Sequence, residues 1–190
     1  MPTSTKPDQD DLSALMCAYQ GADRAAAERF AAAVTPILSR FYYYLAGDTR
    51  HVDDLVQECW LRIHRARHTY RPGEPVLPWL FAIARHTRVD IYRRWQRSSA
   101  RESSIDDVTR QPSQDPRLAL ESSLDAQAVL RCLQALPEAQ REVLLMMKLN
   151  GMSVAEIARA TGSSEAAVKQ KAYRAYRAVR QMFRARGEGR

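Results

Sequence analysis

At 190 residues, 45% hydrophobic and 27% charged, the chain has room for one ordinary domain or two small helical ones, and its composition excludes a wholly disordered polymer. No run approaches the ~18 uninterrupted apolar residues of a membrane helix, and Met1–Asp11 lacks the basic and apolar blocks of a secretory signal, so a cytoplasmic protein is expected. Lys and Arg number 29 against 22 Asp and Glu, a net charge of +7 that favours a polyanionic partner, most simply nucleic acid.

Period-2 alternation is absent and helical periodicity is plentiful, which predicts an all-α fold. Residues 1–11 are expected to be disordered. Ala22-Asp23 can cap a long helix to about Ala46, ended by Gly47-Asp48, with Pro36 expected to kink it or split it in two. A second helix is predicted from about His51 to His68, with Val52, Leu55, Val56, Cys59 and Ile63 at i, i+3, i+4, i+7 and i+11 forming one buried stripe. Asp53, Asp54, Gln57 and Glu58 lie off that stripe as a compact acidic, amide-bearing patch. Such a patch is either an ordinary wet helix face or a docking site for a basic protein partner.

Tyr70–Pro78 carries three prolines and a glycine and reads as a loop, followed by a third helix over about Trp79–Trp95. Arg85–Arg97 holds five arginines and one aspartate, with His86, Tyr92 and Trp95 interleaved. Cations can track a phosphate backbone while aromatic planes stack on unpaired bases, although a solvated helical face with buried aromatics has the same composition. Residues 12–97 are thus expected to form a first helical domain. Residues 98–123 are rich in Ser, Asp and Pro and poor in large apolar residues, the composition of a flexible acidic linker.

Helical patterning resumes over 124–184, with 185–190 expected as a tail. Val154–Val168 has the logic of a helix-turn-helix. Val154, Ile157 and Ala158 give the first helix an apolar face, Gly162 supplies a left-handed turn, and Ser163 or Ser164 can cap the second helix. Behind that helix lie Val168, Ala172, Ala175, Val179 and Phe183. In front lie Gln170, Tyr173, Arg174 and Arg177, with Lys169 and Lys171 flanking, a basic hydrogen-bonding face suited to a major groove.

Chemistry of other kinds finds little support. Cys17, Cys59 and Cys132 are far apart without a Cys-x-x-Cys pair, which argues against a disulfide framework and for small buried apolar side chains. His64 and His68 stand four apart but lack a third ligand, so no metal is expected. No Gly-rich phosphate loop, nucleophile elbow or paired acid and base is present, so neither catalysis nor a cofactor is expected.

In order, these motifs resemble the sigma-70 family of bacterial transcription initiation factors, and within it the small extracytoplasmic-function group. Asp53-Asp-Leu-Val-Gln-Glu58 with Trp60-Leu-Arg-Ile-His looks like region 2.2 of the family. Trp79-Leu-Phe-Ala-Ile-Ala-Arg-His86 and Val89-Asp-Ile-Tyr-Arg-Arg94 look like regions 2.3 and 2.4. Ala135-Leu-Pro-Glu-Ala-Gln-Arg141 and the helix-turn-helix look like region 4. The resemblance implies a region 2 helical bundle and a region 4 helix-turn-helix joined by the linker. It implies docking of Asp53, Asp54, Gln57 and Glu58 on the clamp of core RNA polymerase, with a further contact to the beta subunit. Arg85, His86, Asp90, Arg93 and Arg94, helped by the Tyr70–Pro78 loop, would hold the melted −10 element. Ser164, Lys169, Gln170, Lys171, Tyr173, Arg174 and Arg177 would read the −35 duplex. An anti-sigma factor that masks these surfaces, answering to a stress or envelope signal, is implied as well.

Three positions depart from the family pattern: His86 stands where members commonly have Asn, Pro-Val-Leu-Pro precedes Trp79, and Ala172 replaces a commoner leucine. The rival reading is a stand-alone helix-turn-helix regulator that acts without polymerase. It leaves the acidic patch beside an arginine-aromatic helix without a purpose.

Overall fold

The structure, a computed structural model, describes residues 9–47, 51–101 and 124–187. Among them are eight α-helices and one 3-10 turn, and no strand. The first helix, α1 (Gln9–Gln20), begins inside the stretch expected to be disordered. Leu12 and Met16 are buried, and Leu15 and Tyr19 pack on the core beside them, an i, i+3, i+4, i+7 stripe. The chain then turns at Gly21-Ala22. Ala22 adopts φ +65°, a conformation that costs an L-residue roughly 1–2 kcal/mol. Asp23 Oδ1 accepts the Ala26 N–H at 3.0 Å and caps α2 (Arg24–Ala46) as expected.

Helix α2 runs through Pro36 without being split. A proline here removes one intrahelical bond, but Phe30, Val34, Leu38, Phe41 and Tyr42 are completely buried around it. Burial of each such side chain contributes about 1.5–3 kcal/mol, enough for tertiary packing to override the local defect. Gly47 ends the helix at φ +87°, its N–H bonded to Tyr43 O at 2.8 Å. A Cβ at this position would lie 2.6 Å from Gln134 Cδ, so a larger residue would have to displace the Gln134 amide as well as adopt a strained conformation.

All five residues of the predicted stripe on α3 (Val52–Ala66) are buried. A 3-10 turn over Arg67–Thr69 follows. Helix α4 (Val76–Arg101) starts three residues before the expected Trp79 and runs six beyond Trp95. Pro78 falls in its first turn, where the missing N–H has no helical partner to lose, and buried Val76 and Leu77 anchor that turn. The loop therefore shrinks to 70–75. Residues 1–8 and 102–123, which hold most of the expected disordered N-terminus and most of the linker, lie outside the described residues.

The second half comprises α5 (Leu124–Gln134), α6 (Glu138–Lys148), α7 (Val154–Thr161) and α8 (Glu165–Gly187), the last extending into the expected tail. Ser153 and Glu156 form a capping box on α7: Ser153 Oγ accepts the Glu156 N–H at 3.2 Å, and Glu156 Oε2 accepts the Ser153 N–H at 2.7 Å. Gly162 sits at φ +61° and its N–H points at the Ala158 and Arg159 carbonyls. Of the two candidate caps for α8 it is Ser164 that serves, its Oγ accepting the Ala167 N–H at 3.2 Å. Ser163 Oγ instead meets Thr161 Oγ1 at 2.5 Å.

The halves pack on each other, α4 against α7 and α2 against α5 and α6, and one apolar cluster runs from Leu12 to Ala175 through both. At the end of α2 the unpaired carbonyls are closed by side chains of the second half. Gln134 Nε2 donates to Tyr44 O at 2.9 Å, and Arg141 donates to Leu45 O while also binding Gln134 O and Leu136 O at 3.1 Å. A cation at a helix C-terminus is the placement the helix dipole favours.

Candidate nucleic-acid interface

On α3, Asp53, Asp54 and Gln57 are exposed and Glu58 is half-buried, opposite the buried stripe. Asp53 and Asp54 stand in the first turn, where the helix dipole favours anions. Leu61, 48% exposed, extends the same face one turn on from Gln57 and Glu58. Sequence reasoning missed it, although an apolar residue in register with a polar patch is a legible signal. Arg62 was missed as well. Its Nε donates to Glu58 Oε1 at 3.0 Å and its Nη1 to Asp90 Oδ2 at 2.6 Å.

Helix α4 divides its polar residues into two rows. At about 100° per residue, His86, Asp90, Arg93 and Arg94 fall on one side, and all four are exposed. Arg62 holds the Asp90 carboxyl below the usual carboxylate range, with Arg93 and His86 adding to the effect. Arg85, expected with this group, lies instead in the row with Arg88 and Tyr92 and faces the second half. Its Nε donates to Glu142 Oε1 at 2.7 Å and its Nη1 to Ala160 O at 3.3 Å. Arg88 makes a two-pronged pair with Glu138, one bond at 3.0 Å, and its guanidinium lies 4.7 Å from the Tyr92 ring centroid. That pairing holds the Glu138 carboxyl below its usual range.

The shortened loop is built on aromatics. Tyr70 and Trp79 meet edge-on at 5.7 Å, and Trp79 Nε1 donates to Thr69 Oγ1 at 3.0 Å. They border a cavity of about 340 Å³ whose wall also includes Arg71, Glu74 and, from α7, Arg159. Arg159 Nη1 donates to Glu74 Oε2 at 2.9 Å, so one wall of this cavity belongs to the other half of the chain.

Helix α8 has the two faces expected of it. Val168, Ala172 and Ala175 are buried, while Phe183, assigned to the same apolar side, is 48% exposed. On the front Ser164, Lys169, Gln170, Arg174 and Arg177 are exposed, Lys171 is half-buried, and Tyr173 is 64% exposed. Ser153, Gly162 and Ser164 set the angle at which this front stands away from α7. Side chains of the second half bury its back. The arrangement is a rigid basic rod with hydrogen-bonding groups near its N-terminal end, the shape that enters a major groove.

Two groups singled out in the sequence have structural uses. His64 Nδ1 lies 2.7 Å from Tyr19 Oη, which ties α1 to α3. Cys59 is buried against the Tyr42 and Thr87 hydroxyls, and burial pushes its thiol up to about 11. No helix among the described residues is long and apolar enough to cross a membrane.

Comparison with known proteins agrees with this geometry. A family model described as Sigma-70 region 2 matches residues 30–98, and one described as Sigma-70, region 4 matches residues 126–179. The ECF RNA polymerase sigma factor SigF of Caulobacter vibrioides is 34% identical over 176 residues, covering 91% of this chain and 94% of the relative. The ECF sigma factor SigX of Bacillus subtilis is 29% identical over 147 residues, 75% of this chain and 76% of the relative. Among solved structures, CnrH in complex with the cytosolic domain of CnrY superposes with a TM-score of 0.69 at 23% identity, over 92% of this chain and 98% of that one. The sigma factor RpoE in complex with the anti-sigma factor NepR from Bartonella quintana gives 0.66 at 23%, over 83% and 96%. These two likenesses concern the fold.

Proposed function

Because this chain belongs to the extracytoplasmic-function group of the sigma-70 family of RNA polymerase sigma factors, we propose that each surface described above has its own task in promoter-specific initiation. Asp53, Asp54, Gln57 and Glu58, joined by Leu61, dock on the clamp of core polymerase, with a further contact to the beta subunit. The exposed row His86, Asp90, Arg93 and Arg94, with Arg85 and the 70–75 loop, holds the melted −10 strand. Ser164, Lys169, Gln170, Lys171, Tyr173, Arg174 and Arg177 read the −35 duplex. The chain acts in the cytoplasm and catalyses no reaction of its own.

The observation that carries the reading is the front of α8: its basic, hydrogen-bonding residues are exposed while their helical neighbours Val168, Ala172 and Ala175 are buried. Two weak readers on one chain give a specific site, because the second contact is made at high effective concentration once the first has formed. Arg85 is bonded to Glu142 of the second half, so its share in strand holding requires the halves to part and that carboxylate to give way to a phosphate. An anti-sigma factor that keeps the halves together would hold the chain inactive until a stress or envelope signal removed it. RpoE and CnrH provide the analogy, each solved in a complex.

Run-off transcription from a genomic promoter library, with and without the chain added to purified core polymerase, tests the proposal. New start sites sharing two spaced elements are expected. If no template yields a chain-dependent transcript, the reading fails.

A further inference from the structure

Arg62 stands where the docking surface and the strand-holding surface meet. Its Nε donates to Glu58 Oε1, one turn back on α3, and its Nη1 to Asp90 Oδ2 on α4, at 3.0 and 2.6 Å. The Arg62 side chain is 24% exposed and those of Glu58 and Asp90 are 26% and 50% exposed. Beneath it the two helices are held in fixed register by a buried polar cluster. The Cys59 thiol contacts the Tyr42 and Thr87 hydroxyls, and Tyr42 Oη donates to Ala84 O at 3.0 Å. With the backbones fixed, the shared guanidinium is the adjustable part of this contact. Its planar fork presents separate N–H groups to the two acceptors in a fixed geometry, whereas the three donors of a lysine share one nitrogen and fix no direction.

We propose that Arg62 is a positioning residue that couples docking at Glu58 to strand holding by His86, Asp90 and Arg93. The inference rests on the roles proposed for those two surfaces. Asp90 lies one turn from both His86 and Arg93 on the same face of α4, close enough to pair with either. A carboxylate that pairs with Arg93 or His86 withdraws that group from a phosphate. Arg62 draws the Asp90 carboxylate towards α3 and leaves the row able to accept an anion.

Glu58 competes for the same guanidinium. When a cationic group of the docking partner engages Glu58, Arg62 is released from that bond and commits to Asp90. Docking then strengthens strand holding. By thermodynamic reciprocity a bound strand strengthens docking by the same factor. Because all three groups are partly solvated, the coupling carried by Arg62 should be modest, about three- to fivefold, at or just below the lower end of the range for linked sites.

The test uses the full chain, alone and assembled with core polymerase. The probe is a fluorescent single-stranded oligonucleotide carrying the −10 segment of a promoter the chain transcribes. The quantity read is the ratio of dissociation constants without and with polymerase. Arg62→Gln should lower that ratio about three- to fivefold, and Arg62→Lys should restore part of it. Glu58→Gln should lower it as well, and the double variant Glu58→Gln/Arg62→Gln should fall no further than Arg62→Gln alone. A merely structural arginine would lower the melting temperature and leave the ratio unmoved, and that result overturns the proposal. If Arg62→Gln does not fold, Asp90→Asn and Glu58→Gln supply the same comparison, and independence of the two overturns it equally. A chain that never supports polymerase-dependent transcription refutes the underlying reading instead, so the two failures are distinguishable.

Discussion

Replacing Glu138 and Glu142 together by arginine should open the molecule. Each carboxylate sits on α6 and faces an arginine of α4, Glu142 against Arg85 and Glu138 against Arg88. Arg85 and Glu142 are 25% and 13% exposed, so this charge-assisted bond is worth about 1.5–3 kcal/mol. Glu138 is 58% exposed, which discounts the second pair to about 1 kcal/mol despite its two-pronged geometry. The Nε of Arg88 is buried without a hydrogen-bond partner, so the contact is already imperfect. Losing both pairs, about 3 kcal/mol together, raises the open-to-closed ratio about a hundredfold, before any repulsion between the new cations and Arg85 and Arg88.

Small-angle scattering at low salt reads the change directly. A compact chain of this length has a radius of gyration of about 16 Å, and each half alone about 12 Å. Halves whose centres stand ~40 Å apart would give about 23 Å from the same scaling. Reversing the arginines in the same background, Arg85→Glu with Arg88→Glu, should restore the compact value. If the double variant scatters like the parent at low salt, the ion pairs do not hold the halves together.

The remaining expectations are local. Arg88 lowers the Glu138 carboxyl from its ordinary value of 4.5, so its contribution is present above that value and lost as pH falls through the lowered one. Scattering from the parent should therefore stay compact across neutral pH and expand only in acid below the ordinary carboxylate range. Gly47→Ala should cost more than Gly162→Ala, as chemical denaturation would show. Both glycines have positive φ, which costs an alanine about 1–2 kcal/mol, but a Cβ at 47 also strikes the Gln134 amide while one at 162 meets nothing within 4 Å. At pH 8 the half-buried Cys17 should react with a thiol reagent in the native chain, whereas Cys59, pushed up to about 11, should react only on unfolding. Replacing Arg174 or Lys169 by alanine should reduce the salt slope of promoter binding by about 1 for each phosphate left without its cation, measured with the assembled holoenzyme.

What the chain announces along its own length is whatever depends on near neighbours. The buried stripe of α3, the capping Asp23, the left-handed Gly162 and the two faces of α8 were legible because helix periodicity and turn chemistry act within a few residues. The order of the region 2 and region 4 motifs was legible for the same reason. Other features depended on partners far away in sequence. Helix α1 carries a short stripe whose value comes from the core it meets, and α2 continues through Pro36 because the surrounding core outweighs one missing bond. Val76 and Leu77 draw the start of α4 into what reads as a proline-rich loop.

The arginine-rich helix shows the limit most clearly. Composition put Arg85 and Arg93 in one group, but a helix turns about 100° per residue, and residues eight apart need not share surroundings. Only packing of the second half on α4 sends Arg85 and Arg88 towards Glu142 and Glu138 and leaves His86, Asp90, Arg93 and Arg94 facing solvent. Arg62 joins Asp90 for the same reason: 28 residues separate them in sequence, and the packing of α3 on α4 brings them to 2.6 Å. Local sequence supplied the helices and their chemistry, and tertiary packing decided which charges are open to a partner and which are already paired.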